Sequence, residues 1–370
     1  LLSAPVTIPG ATTAATTAAG LGSGLALTVP ATLPYSPGPR EVTLRASIGA
    51  AVADALHRDD ADRLLRDADV ALHAAKSDGR GRYRVSDAQL RAGAVDQILL
   101  DTEMRSALAR GEFEVHYQPI IELATGRISG AEALVRWRHP RRGMVAPGSF
   151  LPAAEAAGLL PDIDRWVLRE ACRQATVWRR HVPHFSVSVN ISAGHVTHST
   201  LVSDVTGALA ASGLPAAALV LELTETALVA DTTAAASVLA QLAKLGVRVA
   251  LDDFGTGYSS LTYLRTLPIH SIKIDRTFVW GLGDGATHDA VTRAIVELAG
   301  TLGLVQVAEG VETDDQADWL RGLRCTYGQG FHFSHPVPAE AMNHILGVAT
   351  ADPPARFQDV GRHHRPAARR

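Results

Sequence analysis

Eight short runs of strand character, set between stretches of helical periodicity, constrain the fold of this 370-residue chain more than any other feature. The runs are residues 113–121, 128–137, 185–191, 219–224, 247–252, 271–274, 304–308 and 327–333. Between most of them, residues 162–180, 232–245, 288–302 and 314–323 space their apolar side chains along one helical face. Strand and helix alternating over roughly 250 residues predict an α/β fold of the (β/α)8, TIM-like barrel type. The first two runs are joined only by ATGR, which is a hairpin spacing, so one strand is expected to run antiparallel to the rest.

In such a barrel the C-terminal ends of the strands form the mouth where chemistry is done. The residues that close each run here are oxygen-bearing to an unusual degree. GAEALVRW presents Glu132 and Arg136, VSVNIS presents Asn190, and LELTET presents Glu222 and Glu225. VALDDFG ends on Asp252 and Asp253, SIKIDR carries Lys273 and Asp275, VAEGVE carries Glu309 and Glu312, and the last run carries Gln329. A single acid at a strand end is more often the N-cap of the next helix. A whole set is harder to explain that way, because Glu222 lies between two leucines and Lys273 between two isoleucines, where apolar side chains would be cheaper to bury. Converging carboxylates repel unless cations sit among them, and an all-oxygen donor set favours Mg²⁺ or Mn²⁺. Two ions about 3.5–4 Å apart would let Asp252 bridge while Asp253 serves one of them.

The order of these motifs resembles the EAL-domain phosphodiesterases, which open the bacterial second messenger cyclic di-GMP to linear pGpG. YQPI, EALVRW, NIS, ELTET, DDFGTGYSSL, KIDR, AEGVE and QGF follow one another between residues 98 and 346. The resemblance implies a first metal on Glu132, Asn190, Glu222 and Asp252, and a second on Asp252, Asp253 and Glu309. It implies that Lys273 positions or deprotonates the attacking water, a role arginine could not share because it does not release its proton. Only Lys76, Lys244 and Lys273 are lysines. A lysine next to cations can have a depressed pKa and then donate or accept a proton. The resemblance further assigns Glu132, Lys273 and Glu225 to catalysis, with Glu225 holding the DFGTGYSSL loop that couples dimerisation to metal binding. Gln118, Leu134, Arg136, Asp275 and Gln329 are implied substrate contacts, Arg136 as a fork for two phosphate oxygens. One departure is QGFHFSHPVP, where His332 and His335 stand at positions that the family more often fills with other residues. They are expected to tune affinity or pH dependence.

The flanks read differently. Residues 1–39 are rich in Ala, Thr, Gly and Pro and are expected to be a disordered or low-complexity segment. Residues 40–88, with VTLRASIGAA followed by DADRLLRDADVALHAAKSDGRGRYRV, form a small partial α/β piece. This piece resembles the last third of a GGDEF (diguanylate cyclase) domain without its Gly-Gly-Asp/Glu-Glu-Phe turn, which implies a remnant with no cyclase activity. The barrel is expected over 96–350 and a flexible tail over 351–370, whose His363 and His364 are read as solvated. The chain starts at Leu rather than Met, so an upstream part is expected.

Composition narrows the partners. A net charge of −3 and a pI near 6.6 offer no electrostatic grip on duplex nucleic acid. No run fits a membrane span or a signal peptide. The two cysteines, Cys172 and Cys325, have no metal spacing and suit a reduced, cytoplasmic protein. The function that the family resemblance implies is metal-dependent hydrolysis of cyclic di-GMP by a homodimer. The alternatives are a non-catalytic cyclic di-GMP receptor, disfavoured because every required ligand position is filled, and a barrel acting on another phosphodiester.

Overall fold

The computed structural model of the protein describes residues 26–31, 40–45, 47–51, 65, 67–72, 75, 83–86, 103–229, 232–255, 264, 266–282 and 286–348. These fall into two compact units, Leu1–Thr102 and Glu103–Arg370.

In the first unit, β1 (Ala26–Ala31) pairs antiparallel with β2 (Arg40–Arg45). Within the stretch 1–39, read from sequence as disordered or low-complexity, the alternating ALTVPA at 26–31 thus has a pairing partner in REVTLR. Next, β3 (Ile48–Ala50) pairs parallel with β4 (Tyr83–Val85). The residues described between them, 65, 67–72 and 75, are helical. The helix lies tight on the strand: a Cβ on Gly49 would come within 2.0 Å of the Ala68 carbonyl oxygen, so only glycine fits. Residues 1–25, most of the sequence 52–82, and the tail from 349 onward lie outside the described residues.

The second unit is the barrel. Its strands are β5 (Phe113–Glu122), β6 (Arg127–His139), β7 (Gly143–Val145), β8 (Ser186–Asn190), β9 (Leu219–Thr224), β10 (Arg248–Phe254), β11 (Ser271–Ile274), β12 (Val305–Ala308), β13 (Tyr327–Gly328) and β14 (Val337–Pro338). Eight of them close a ring in the order β5-β6-β8-β9-β10-β11-β12-β13, with β13 returning to β5. β5 is antiparallel to both neighbours, and the other contacts around the ring are parallel. The hairpin through ATGR thus sets the one reversed strand.

Two strands lie outside the sequence-based set: β7 adds to the end of β6, and β14 pairs beside Tyr117 on β5. The eighth run is shorter than expected, because only Tyr327 and Gly328 pair and the chain then turns. Gly330 sits where a Cβ would lie 2.1 Å from the Val311 carbonyl oxygen, so the backbone presses against its neighbour instead of extending.

Helices α1 (Pro147–Ala156), α2 (Leu160–Arg179), α3 (Ala193–Val196), α4 (Leu201–Ser212), α5 (Glu225–Val229), α6 (Thr232–Leu245), α7 (Arg276–Trp280), α8 (Ala286–Thr301), α9 (Asp314–Gly322) and α10 (Ala339–Ile345) fill the connections and the C-terminal end. α2 buries Ile163, Val167, Leu168, Ala171, Cys172, Ala175 and Trp178, the three-and-four spacing of one helical face. α9 begins with a capping box, the Thr313 hydroxyl accepting from the Gln316 amide and the Gln316 side chain accepting from the Thr313 amide.

Strand alternation divides the core in two. Ala131, Val187, Val189, Leu221, Leu223, Val249, Leu251, Ile272 and Ile274 are all buried, and alternation sends them outward, toward the helices. Their neighbours in sequence, including Glu132, Ser188, Glu222, Ala250 and Lys273, take the opposite face and fill the barrel interior. The alternation that packs the outer layer therefore forces polar residues inward on several strands at once.

Candidate metal and phosphodiester site

The ladder register carries these inward residues to a common level. Gln118 of β5 stands opposite Glu132 of β6, Glu132 opposite Ser188, and Asn190 opposite Glu222. Glu222 faces Ala250, two residues before Asp252. Ala250 is level with Ser271, which puts Lys273 one inward step nearer the mouth, beside Asp252. Glu309 follows β12, its amide bonded to the Ile274 carbonyl at 3.0 Å.

Lys273 is the hub. Its side chain is 2% exposed, and Nζ lies 2.7 Å from Glu222 Oε2, 2.6 Å from Glu309 Oε1, 3.3 Å from Asp252 Oδ1 and 3.4 Å from Glu132 Oε2. Glu132 is held from its other sides by amides. Asn190 Nδ2 donates to its Oε1 at 2.6 Å and Gln329 Nε2 to its Oε2 at 2.6 Å. The Gln329 amide also donates to Gln118 Oε1, and Gln118 Nε2 in turn donates to the Ser334 carbonyl. The two glutamines thus fix the acid as well as lining the interior. A pair of glutamines on strands that meet at the barrel seam was the available sequence signal; the Ser334 carbonyl had none.

The adjacent aspartates are resolved by a bulge. The β10–β11 register shifts between Leu251 and Phe254, and Asp253 takes a positive φ of 54°. In a regular strand, neighbours point to opposite faces; the bulge breaks that rule and lets consecutive carboxylates serve one site. Asp252 Oδ1 accepts from the Asp253 amide at 3.0 Å. Carboxylate oxygens of Asp252, Asp253 and Glu309 lie within 4.8 Å of one another. Gly255 follows with φ 101°, where a Cβ would meet the Phe278 ring at 2.7 Å. The rest of DFGTGYSSL, 256–261, lies outside the described residues.

The other expected site residues are distributed around this cluster. Leu134 and Arg136 are half-buried and share the face of Glu132, running from the interior to the rim, and Arg136 donates through one nitrogen to the Val135 carbonyl at 2.9 Å. Glu225 is buried at the start of α5. Asp275 acts as a helix cap, its Oδ1 accepting from the Thr277 amide at 3.0 Å and from the Thr277 hydroxyl at 2.5 Å. Exposed Glu312 has its amide bound by Gln316 and does not enter the cluster. In the loop after β13, His332 lies 3.5 Å from Asp314, and His335 stacks on Phe331, ring centroids 4.1 Å apart.

Electrostatics follow from four acids around one lysine. Burial alone would strip the Lys273 proton, but Glu132, Glu222, Glu309 and Asp252 outweigh it and hold the pKa well above the ordinary lysine value. That direction belongs to the cluster of carboxylates without cations among them. Burial raises Glu132, but Lys273 and the donors Gln329 and Asn190 bring it below the usual range. Glu222 is pushed well up by burial and by Glu132 and Asp252, against the pull of Lys273. Asp253 is raised by burial and then by Asp252 and Asp275. Glu309 is raised to about 7, chiefly by burial.

These shifts have a direct consequence for pH. Carboxyls whose folded pKa lies above the unfolded value bind protons preferentially in the folded state. They stabilise the metal-free fold below about 4.5 and lose that contribution as pH rises through about 7. The metal-free protein should therefore melt at a lower temperature at pH 8 than at pH 5.5, and saturating Mn²⁺ should raise the melting temperature more at pH 8. Calorimetry at the two pH values, with and without Mn²⁺, checks both signs.

The donor set suits hard divalent cations: all carboxylate and amide oxygens, close enough to share an ion, and carrying more negative charge than one lysine offsets. No helix among the described residues is long and apolar enough to cross a membrane. Cys172 and Cys325 are buried free thiols, each pushed up to about 12, chiefly by burial.

Comparison with known proteins fits this geometry. Residues 101–336 match the family model described as "EAL domain". The chain is 42% identical over 313 residues to the bifunctional diguanylate cyclase/cyclic di-GMP phosphodiesterase MucR of Pseudomonas aeruginosa, covering 84% of this chain and 45% of that protein. It is 37% identical over 309 residues to the cyclic di-GMP phosphodiesterase PdeR of Escherichia coli, covering 84% of this chain and 46% of that protein. The chain thus spans less than half the length of either relative. A solved structure described as the PaMucR phosphodiesterase in complex with c-di-GMP superposes with a TM-score of 0.64 at 44% identity, covering 66% of this chain and 99% of that one.

Proposed function

This chain belongs to the EAL domain family, and on that premise we propose that its barrel hydrolyses cyclic di-GMP to linear 5′-pGpG with two divalent ions, Mg²⁺ or Mn²⁺, among the mouth carboxylates. The observation that carries the proposal is the convergence of Glu132, Glu222, Asp252 and Glu309 within 3.4 Å of Lys273, beside the Asp252–Asp253–Glu309 cluster.

Glu132, Asn190, Glu222 and Asp252 would hold the first ion, and Asp252, Asp253 and Glu309 the second. When bound, the ions favour ionisation of the attacking water and offset charge on the phosphoryl oxygens. Lys273, in contact with the carboxylates assigned to both ions, would position or deprotonate the attacking water. Arg136, at the rim, offers its fork to phosphate oxygens, with Leu134, Gln118 and Asp275 lining the approach. Gln329 Oε1, buried and accepting no hydrogen bond among the described residues, is ready for a donor of the substrate. Glu225 supports the β10 loop behind the aspartates. The family resemblance supports a homodimer, and the free buried thiols support a cytoplasmic setting. Residues 40–88 are read as a GGDEF-domain remnant without cyclase activity.

Incubation of the purified chain with cyclic di-GMP and Mn²⁺, followed by chromatography, should yield pGpG. Calcium, with longer bonds and looser geometry, should support no turnover and should inhibit the Mn²⁺ reaction. Tight binding of cyclic di-GMP with no pGpG under any divalent ion would make the domain a receptor instead.

A further inference from the structure

The end of the barrel opposite the mouth holds a charge for which the proposed chemistry has no use. Arg248 opens β10, and the alternation that sends Val249 and Leu251 outward turns it inward with Ala250. Along the strand it lies four residues, about 13 Å, below Asp252. Its Nε is buried and has no hydrogen-bond partner. Arg179 reaches the same end. It closes α2, and its Nη1 donates at 2.6 Å to the carbonyl of Phe185, one residue before β8 begins. Near the base of the sheet, Ser188 of β8 is level with Val220 of β9, and Val220 with Arg248.

The surroundings supply no counter-charge. Burial lowers the Arg248 pKa, the Tyr327 phenol raises it again, and the Arg179 guanidinium lowers it too. Among the described residues, no carboxylate lies at ion-pair distance from either guanidinium. Glu122, opposite Tyr327 in the β5–β13 ladder, accepts instead from the Thr125 hydroxyl of its own turn at 2.5 Å. His270, at the entry to β11, accepts the Val249 amide on Nδ1 at 3.3 Å. Burial and then Arg248 lower the pKa of that imidazole, so it is neutral above pH 7. A lysine could shed its charge in such a place, but an arginine cannot. Two guanidiniums near each other, one with a dry Nε, are costly without an anion. Their planar forks match the oxygens of a phosphate.

We propose that Arg248 and Arg179, with Tyr327 beside them, form an oxyanion site at the N-terminal end of the barrel. Its ligand is a phosphate group, carried by inorganic phosphate or by a phosphomonoester. The site depends on neither the divalent ions nor cyclic di-GMP, and it lies on the far side of the barrel interior from both.

The test is calorimetric titration of the full chain at constant ionic strength, freed of divalent ions so that the mouth carboxylates attract no anion. Inorganic phosphate and glycerol 3-phosphate are titrated separately. The wild-type chain should bind one phosphate, with a Kd of about 1 mM or tighter. Arg179→Met, and Arg248→Lys, which keeps the charge but loses the fork, should each bind about tenfold more weakly or worse. Arg248→Lys keeps the test decisive if Arg179→Met fails to fold. Arg180→Met, at the exposed arginine next in sequence, should bind as the wild type does. No phosphate bound by the wild type, unchanged affinity in either site variant, or equal weakening in Arg180→Met would each overturn the proposal. Binding of inorganic phosphate alone would identify a free ion as the ligand, and binding of both a phosphomonoester; each supports the site. Because no metal is present, failure here leaves the reading of the mouth intact, and failure of Mn²⁺ to bind at the mouth leaves this site intact.

Discussion

Replacement of Lys273 by Met is expected to lower the melting temperature of the metal-free protein by about 10 °C. Lys273 Nζ is the shared cation of Glu132, Glu222, Asp252 and Glu309, and it is almost wholly shielded from water. Removing one partner of a buried charge pair costs about 3–5 kcal/mol, because the remaining charges stay buried and unpaired. Here four carboxylates lose one partner together, and they answer by taking up protons. The loss should therefore be larger at pH 8 than at pH 5.5, and saturating Mn²⁺ should restore most of it by replacing the missing charge. Turnover should not return with the melting temperature, since an ion restores charge but not the ammonium donor. Thermal unfolding scans at the two pH values, with and without Mn²⁺, together with a pGpG assay, read all of these. An unchanged metal-free melting temperature would mean that the carboxylates do not depend on Lys273.

The second large effect is expected at Glu132. Replacement by Ala should reduce pGpG formation by roughly three orders of magnitude at saturating Mn²⁺. The side chain is oriented from three directions, by Asn190, Gln329 and Lys273, so no neighbour can swing in to replace it without breaking its own contacts. The structural cost should be far below that of losing Lys273, because the lysine retains Glu222 and Glu309 at hydrogen-bond distance. The two variants therefore separate folding from chemistry: Lys273→Met loses both, Glu132→Ala chiefly turnover. Retained hydrolysis in Glu132→Ala would remove this residue from the metal assignment.

Much of this architecture was legible because alternation was strong where it mattered. LVLELT and SIKI place leucines and isoleucines on one face and Glu222 or Lys273 on the other, and both strands begin and end where the pattern does. The helix Thr232–Leu245 was equally plain. The paired aspartates announced themselves by their cost, but the device that makes both useful did not: a bulge with a non-glycine residue at positive φ is invisible in VALDDFG. The eighth strand was overread because YGQGF is apolar enough to extend, whereas Gly330 is pressed against Val311 and the chain turns. The surroundings of Lys273 were hidden for a different reason. Its sequence neighbours are isoleucines, and the acids that fix its proton arrive from four other strands or their ends. Asp275 showed the opposite case, an acid marked as a substrate contact whose visible partners are those of an ordinary helix cap.

The claim on which the rest depends is that the mouth carboxylates are kept together in order to share divalent cations. Equilibrium titration of the wild-type chain and of Asp252→Asn with Mn²⁺ tests it most directly, because Asp252 is the one carboxylate assigned to both ions. Two ions bound per wild-type chain, with both weakened together in Asp252→Asn, is the predicted result. No binding by the wild type, or unchanged binding of two ions by the variant, would contradict it.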